Sequence, residues 1–146
     1  MTIFEAINKI DTVKPNNYSD EEKVGWLSSL DLMIKSKIID THEGADTEAF
    51  GGYTDDTDLS TNLLAPAPYD DMYIFWLESK IDYWNGETGK YNNSISMFNN
   101  AYAEYERFYN RTHMPLSKKL KFFPDETDSI VWQSANEVAM VTIEEV

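Results

Sequence analysis

Apolar residues recur at intervals of three and four along four stretches of this chain, the spacing of helices that each bury one face. In the first, residues 2 to 12, Ile3, Phe4, Ile7 and Ile10 share a side, and Thr2 with Glu5 makes a capping box. "KPNNY" breaks it. Ser19 with Glu22 forms a second box, opening a helix whose Val24, Leu27, Leu30, Ile34 and Ile38 trace one face to about Thr41. Asp20 and Glu21 suit its positive first turn. Gly25 is a weak point inside it, costing roughly 1 kcal/mol against alanine, and Gly44 stops it. The third stretch, about 69 to 85, carries "YIFWL", five unbroken apolar residues. A helix apolar on so many sides is expected to be the central element. Pro68, Asp70 and Asp71 fit its first turn, and Asn85-Gly86 its C-cap. In the fourth, Tyr91, Ile95, Phe98, Tyr102, Tyr105 and Tyr109 alternate in steps of four and three, the seam of two packed helices. Ala101 beside that stripe allows close approach. The short link "NGETGK" then requires an antiparallel helical hairpin, which Pro115 terminates. The tyrosines suggest that one edge of the seam reaches water or a partner, where a hydroxyl can be satisfied.

Two regions fall outside this pattern. Residues 43 to 65 are acidic and rich in Gly and Thr, with Phe50, Tyr53, Leu63 and Leu64 to bury. Connections of that length are usually functional or mobile. Past Pro115, "LSKKLKFFPDETD" sets three lysines before two phenylalanines and then acid. In the final stretch, Val138, Met140 and Thr142 alternate with Ala139, Val141 and Ile143, a strand-like pattern. With Trp132 and no partner element of its own, this stretch reads as an arm that docks on another subunit. The expected fold is mostly α: a small helical bundle over 1–115, with a central antiparallel helical hairpin and a long acidic loop. An extended C-terminal arm over 116–146 follows.

Charge narrows the function classes. Twelve basic against 26 acidic residues leave a net charge of −14, which repels the polyanion that a free DNA reader must neutralise. The absence of cysteine removes disulfides, iron–sulfur clusters and thiolate zinc sites. Glu5 and Lys9 interrupt the first apolar run, so no signal peptide is expected, and no run is long enough to cross a bilayer. On that reading the sequons at Asn17, Asn92 and Asn110 are chance matches in an acidic, soluble, cytosolic domain. His42 and His113 lie at different helix ends without a motif and read as end charges rather than bases. Gly51 and Gly52 belong to no phosphate-binding loop. "TDDTDLS" lacks the glycine and terminal glutamate of a calcium loop and reads as a solvated acidic turn. Lys118, Lys119, Lys121, Phe122 and Phe123 combine basic and aromatic character. Against the acidic excess they fit an inter-subunit contact that meets a neighbour's acidic loop. No catalytic residue, metal ligand or cofactor is expected.

Three segments, "WLSSLDLMI…IDTHEG" (26–44), "LLAPAPYDDMYIFWLESKIDYWNGETGKYNNS" (63–94) and "MFNNAYAEYERFYNRTHMP" (97–115), resemble tailed-phage head–tail connector (head-completion adaptor) proteins. "YNRTHMP" and "YNNS" are the most specific pieces, and the resemblance covers residues 2 to 115. It implies a mostly helical subunit without catalytic activity that closes into a dodecameric ring between the portal above and the tail or its stopper below. Its partners would be copies of itself, the portal protein and the tail or stopper protein, with no membrane. It would reside in the virion, and in the host cytoplasm during assembly. The resemblance also implies a C-terminal segment that grips the portal, here Trp132, Val138, Val141 and Ile143. A negative ring lumen would let DNA pass without specific binding, and the 43–58 stretch, six acids with no Lys or Arg, offers Asp55, Asp56 and Asp58 for it. Two other classes fit the composition: an acidic DNA-mimic inhibitor, and a tail-assembly chaperone.

Overall fold

The computed structural model describes residues 1–46 and 48–116. Four α-helices follow one another: α1 (Ile3–Val13), α2 (Asp20–Lys37), α3 (Asp71–Trp84) and α4 (Thr88–Thr112), with one 3-10 turn, Ile39–Thr41, after α2. No strand occurs among the described residues, only isolated bridges joining Thr2 to Asn62 and His42 to Pro115. Met1–Pro115 form one compact unit.

Caps account for most helix ends. At α1 the box is complete: the Glu5 N–H donates to Thr2 Oγ1 at 3.1 Å and the Thr2 N–H to Glu5 Oε1 at 2.9 Å. At α2 only half of the expected box forms. Ser19 Oγ accepts from the Glu22 N–H at 3.2 Å, while the Glu22 carboxylate makes no return bond. α2 also stops earlier than its apolar stripe, at Lys37. Thr41 Oγ1 and His42 Nδ1 both reach the Ile38 carbonyl at 2.7 Å, occupying the acceptor that a further helical turn would use. Pro68 does not sit in the first turn of α3. It follows a cis bond at the third position of a turn closed by the Tyr69 N–H on the Pro66 carbonyl, two residues before the N-cap Asp70. The Asp70 carboxylate takes the N-terminal amine instead, at 3.3 Å.

The hairpin forms as expected. Asn85 caps α3, Gly86 takes φ +76°, and the Glu87 and Gly86 N–H groups bond the Asp82 and Tyr83 carbonyls at 2.9 and 3.1 Å. This double closure turns the chain back within three residues. α3 packs against α1, α2 and α4 and is the central helix. Met72, Tyr73, Leu77 and Ile81 are fully buried, whereas Phe75 and Trp76 of the apolar run are half-buried. Along α4, Phe98 and Tyr105 lie in the core and Ile95, Tyr102 and Tyr109 on its margin, while Tyr91 packs on Tyr83 outside it. Ring contacts knit the seam, Trp76 to Phe98 at 4.9 Å and Tyr69 to Phe108 at 4.6 Å.

The long 43–65 connection is pinned to the bundle. Its return limb supplies carbonyls to the unpaired first turn of α1: Thr61 accepts from Ile3 at 3.0 Å and Leu59 from Phe4 at 2.9 Å. Its outward limb lies so close to α2 that a Cβ on Gly52 would clash with Ser28 Oγ, at a φ of +84° that itself favours glycine. The length of this loop thus serves the frame, a use that its composition concealed.

Candidate functional site

Three sites carry polar or exposed chemistry. The deepest is a buried carboxylate. Asp31 lies on the apolar face of α2, four residues beyond Leu27, and is completely buried. It accepts from Tyr53 Oη at 2.5 Å, Tyr73 Oη at 2.6 Å and the Leu64 N–H at 3.1 Å, while Tyr73 Oη accepts from the Ala65 N–H at 2.8 Å. Both limbs of the acidic loop are therefore tied to α2 and α3 through one side chain. Burial pushes the Asp31 pKa up, against the opposing pull of its three donors. Burial and the neighbouring carboxylate push both tyrosine hydroxyls up as well, and burial raises Tyr105 to about 12. The Tyr53 and Tyr73 hydroxyls stay protonated and act as donors. The arrangement ties the frame together: a closed set of buried bonds. A second node ties α1, α3 and α4. Buried Asp82 accepts from Lys14 Nζ at 2.6 Å and Ser94 Oγ at 2.8 Å.

The acidic turn is the second site. Asp55, Asp56 and Asp58 are all exposed, on a turn closed by the Thr57 N–H on the Thr54 carbonyl and the Thr54 N–H on Thr57 Oγ1. Bonds from Ser60 hold the Asp58 pKa below its usual value. Between Tyr53 on Asp31 and Leu59 on α1, the three carboxylates occupy a fixed place on the surface.

The third site is the aromatic tip of the hairpin. Tyr83 and Trp84, the last residues of α3, are 58% and 62% exposed. They meet edge to face at 5.2 Å, and Tyr83 packs on Tyr91 at 5.6 Å. On the Trp84 side, a groove of about 360 Å³ is lined by Tyr18, Glu22, Gly25, Trp26 and Trp84. On the Tyr83 side, two grooves of about 300 and 270 Å³ share Tyr83 and Tyr91. Tyr18 is fixed by its hydroxyl on Asn85 Oδ1 at 2.7 Å, and the Trp26 backbone carbonyl accepts from Trp76 Nε1 at 2.8 Å, which orients the Trp76 ring. The sequence carries one local signal for this tip. "YW" directly before the closing "NG" places two large aromatics where the helix runs past the bundle.

The two histidines, expected at separate helix ends, are brought together by the fold. Tyr109 stacks on His113 at 3.8 Å and meets His42 edge-on at 4.9 Å, and the Glu43 N–H bonds the Met114 carbonyl at 2.7 Å. Both imidazoles serve packing here, with the Nδ1 of His42 on Ile38 and that of His113 on Thr112 Oγ1. No group of three acidic or histidine side chains among the described residues is arranged to hold a metal ion. Lys118, Lys119, Lys121, Phe122, Phe123, Trp132, Val138, Val141 and Ile143 lie outside the described residues. Comparison of the chain with protein-family models, with curated proteins and with solved structures finds no match.

Proposed function

We propose that this chain is a non-catalytic assembly subunit of a tailed-phage particle, a head–tail adaptor whose copies ring the DNA channel between portal and tail. The observation that supports it most is the aromatic tip. On a protein of net charge −14, Tyr83 and Trp84 stand more than half exposed on a rigid helical hairpin, with Trp26, Tyr18 and Tyr91 around them. Contiguous aromatic surface of that kind is the usual core of a protein–protein contact. The frame below it is built for rigidity, its buried acids all paired, as a subunit transmitting load between portal and tail requires.

In this reading Asp55, Asp56 and Asp58 face the channel. Their fixed position matters because repeated copies then build a continuous negative wall that DNA phosphates do not adhere to. Trp132, Val138, Val141 and Ile143 would grip the portal, and Lys118 to Phe123 would contact the neighbouring subunit. Replacing Asp55, Asp56 and Asp58 together by Asn is expected to leave folding and particle assembly intact and to slow genome ejection several-fold, measured by dye release from purified particles. Ejection at the unaltered rate would remove the channel-facing assignment.

A further inference from the structure

The groove beside Trp84 combines four features that point to a ligand. Its walls are aromatic: Tyr18 and Trp26 meet at 5.5 Å and 63°, and Trp84 stands opposite. Its rim carries Glu22, whose carboxylate has no hydrogen bond or ion pair among the described residues, because the expected capping box at Ser19 is only half made. Its floor is Gly25. A glycine in the middle of α2 costs the helix roughly 1 kcal/mol, yet a Cβ there would meet nothing within 4 Å. Packing does not require the glycine, but any larger side chain would fill the groove. One wall is also held in place, by the Tyr18 hydroxyl on Asn85 Oδ1, and Trp26 packs edge-on against it.

An aromatic box with one free carboxylate selects a cation. A planar guanidinium suits it best, since it stacks on indole faces while pairing with a carboxylate in two parallel bonds. The chain has two arginines, Arg107 and Arg111, four residues apart on the outer face of the last turns of α4. Arg107 reaches only Glu104, at 3.9 Å with both side chains about two-thirds exposed, and Arg111 makes no ion pair among the described residues. Met114, 68% exposed, lies just beyond them. Trp84 adjoins the start of α4 through the 85–87 turn while the arginines lie at its far end, so about 30 Å of helix separates them. Exposed Glu104 and Glu106 share the arginines' turns, and Arg111 is the arginine left without a carboxylate among the described residues. Two complementary patches at opposite ends of one subunit are what a head-to-tail contact, and hence a ring, requires.

We infer that the groove formed by Tyr18, Trp26 and Trp84 with Glu22 receives the guanidinium of Arg111 from a second copy of this chain, with Arg107 beside it. The inference rests on the assembly reading and names one of its contacts. It is tested by sedimentation of the full-length chain into the millimolar range. Wild type is expected to self-associate. Gly25→Leu, which fills the groove with a better helix former, should weaken association at least about tenfold while raising the melting temperature. Glu22→Arg should weaken it similarly, and Glu22→Arg mixed with Arg107→Glu/Arg111→Glu should associate again where neither does alone. A monomer at every concentration overturns the inference. So does association unmoved by these variants, or a groove that instead binds choline, read by quenching of tryptophan fluorescence. Any of these results leaves the presence of the chain in particles untouched, so the two ideas fail separately.

Discussion

Asp31→Ala should cost about 3–5 kcal/mol of folding stability and lower the melting temperature by roughly 10–15 °C. The reason is the asymmetry of buried polar groups. Removing the carboxylate leaves three donors, Tyr53 Oη, Tyr73 Oη and the Leu64 N–H, facing a void. Each unpaired buried donor costs about 1–3 kcal/mol, and the loop tied down by two of them loosens as well. Asp31→Leu with Tyr53→Phe and Tyr73→Phe removes the acceptor with its two hydroxyl donors, leaving only the Leu64 and Ala65 N–H groups unpaired, and should recover part of the loss. Recovery no greater than in Asp31→Leu alone would show that the cost lies in shape rather than in unpaired polarity. The carboxyl also has a pH signature. Its pKa is raised in the folded state above the ordinary 3.8, so the folded protein holds this proton more tightly than the unfolded chain. The associated stability is fully present below pH 3.8 and is lost as pH rises through the raised value. The stability difference between wild type and non-titrating Asp31→Asn, followed by urea denaturation, should therefore fall across that window and stay flat above it. A difference that grows with pH would contradict the burial argument.

Tyr83→Ser with Trp84→Ser should abolish incorporation into particles while shifting the melting temperature by only a few degrees. Both side chains are more than half exposed, so their removal takes little from the core. At an interface each such aromatic contributes about 2–4 kcal/mol, and a ring repeats the loss at every contact. The readout is the yield of tailed particles when the variant replaces the native chain. Normal yield would show that the tip is not a contact surface of the particle.

The helices and their order were legible in the sequence because the signals were local: Thr2 with Glu5, the stripe from Tyr91 to Tyr109, and Asn85-Gly86 each lie within one helix or turn. Less legible was whatever depended on residues far apart. Asp31 could have been flagged, since it interrupts the apolar face between Leu27 and Ile34, but its partners Tyr53 and Tyr73 are 22 and 42 residues away. The loop read as functional or mobile because its anchors, the Asp31 carboxylate and the backbone carbonyls of Leu59 and Thr61, pair with residues far along the chain, which no composition reveals. Pro68 misled for a related reason: proline suits a first helical turn and a tight turn alike, and the pull of Asp70 on the N-terminal amine lies outside any local window. The half-made capping box at Ser19 had the right residues in the right places. Only the fold shows that Glu22 borders the Trp84 groove instead.

The proposal that this chain is a building block of a particle is tested most directly by locating it in purified tailed particles from the element that encodes it, by cryo-electron microscopy of the neck. The account predicts a ring of copies between portal and tail, present in fixed ratio to the portal, with Asp55, Asp56 and Asp58 lining the channel. A chain abundant in the lysate and absent from intact particles would contradict it.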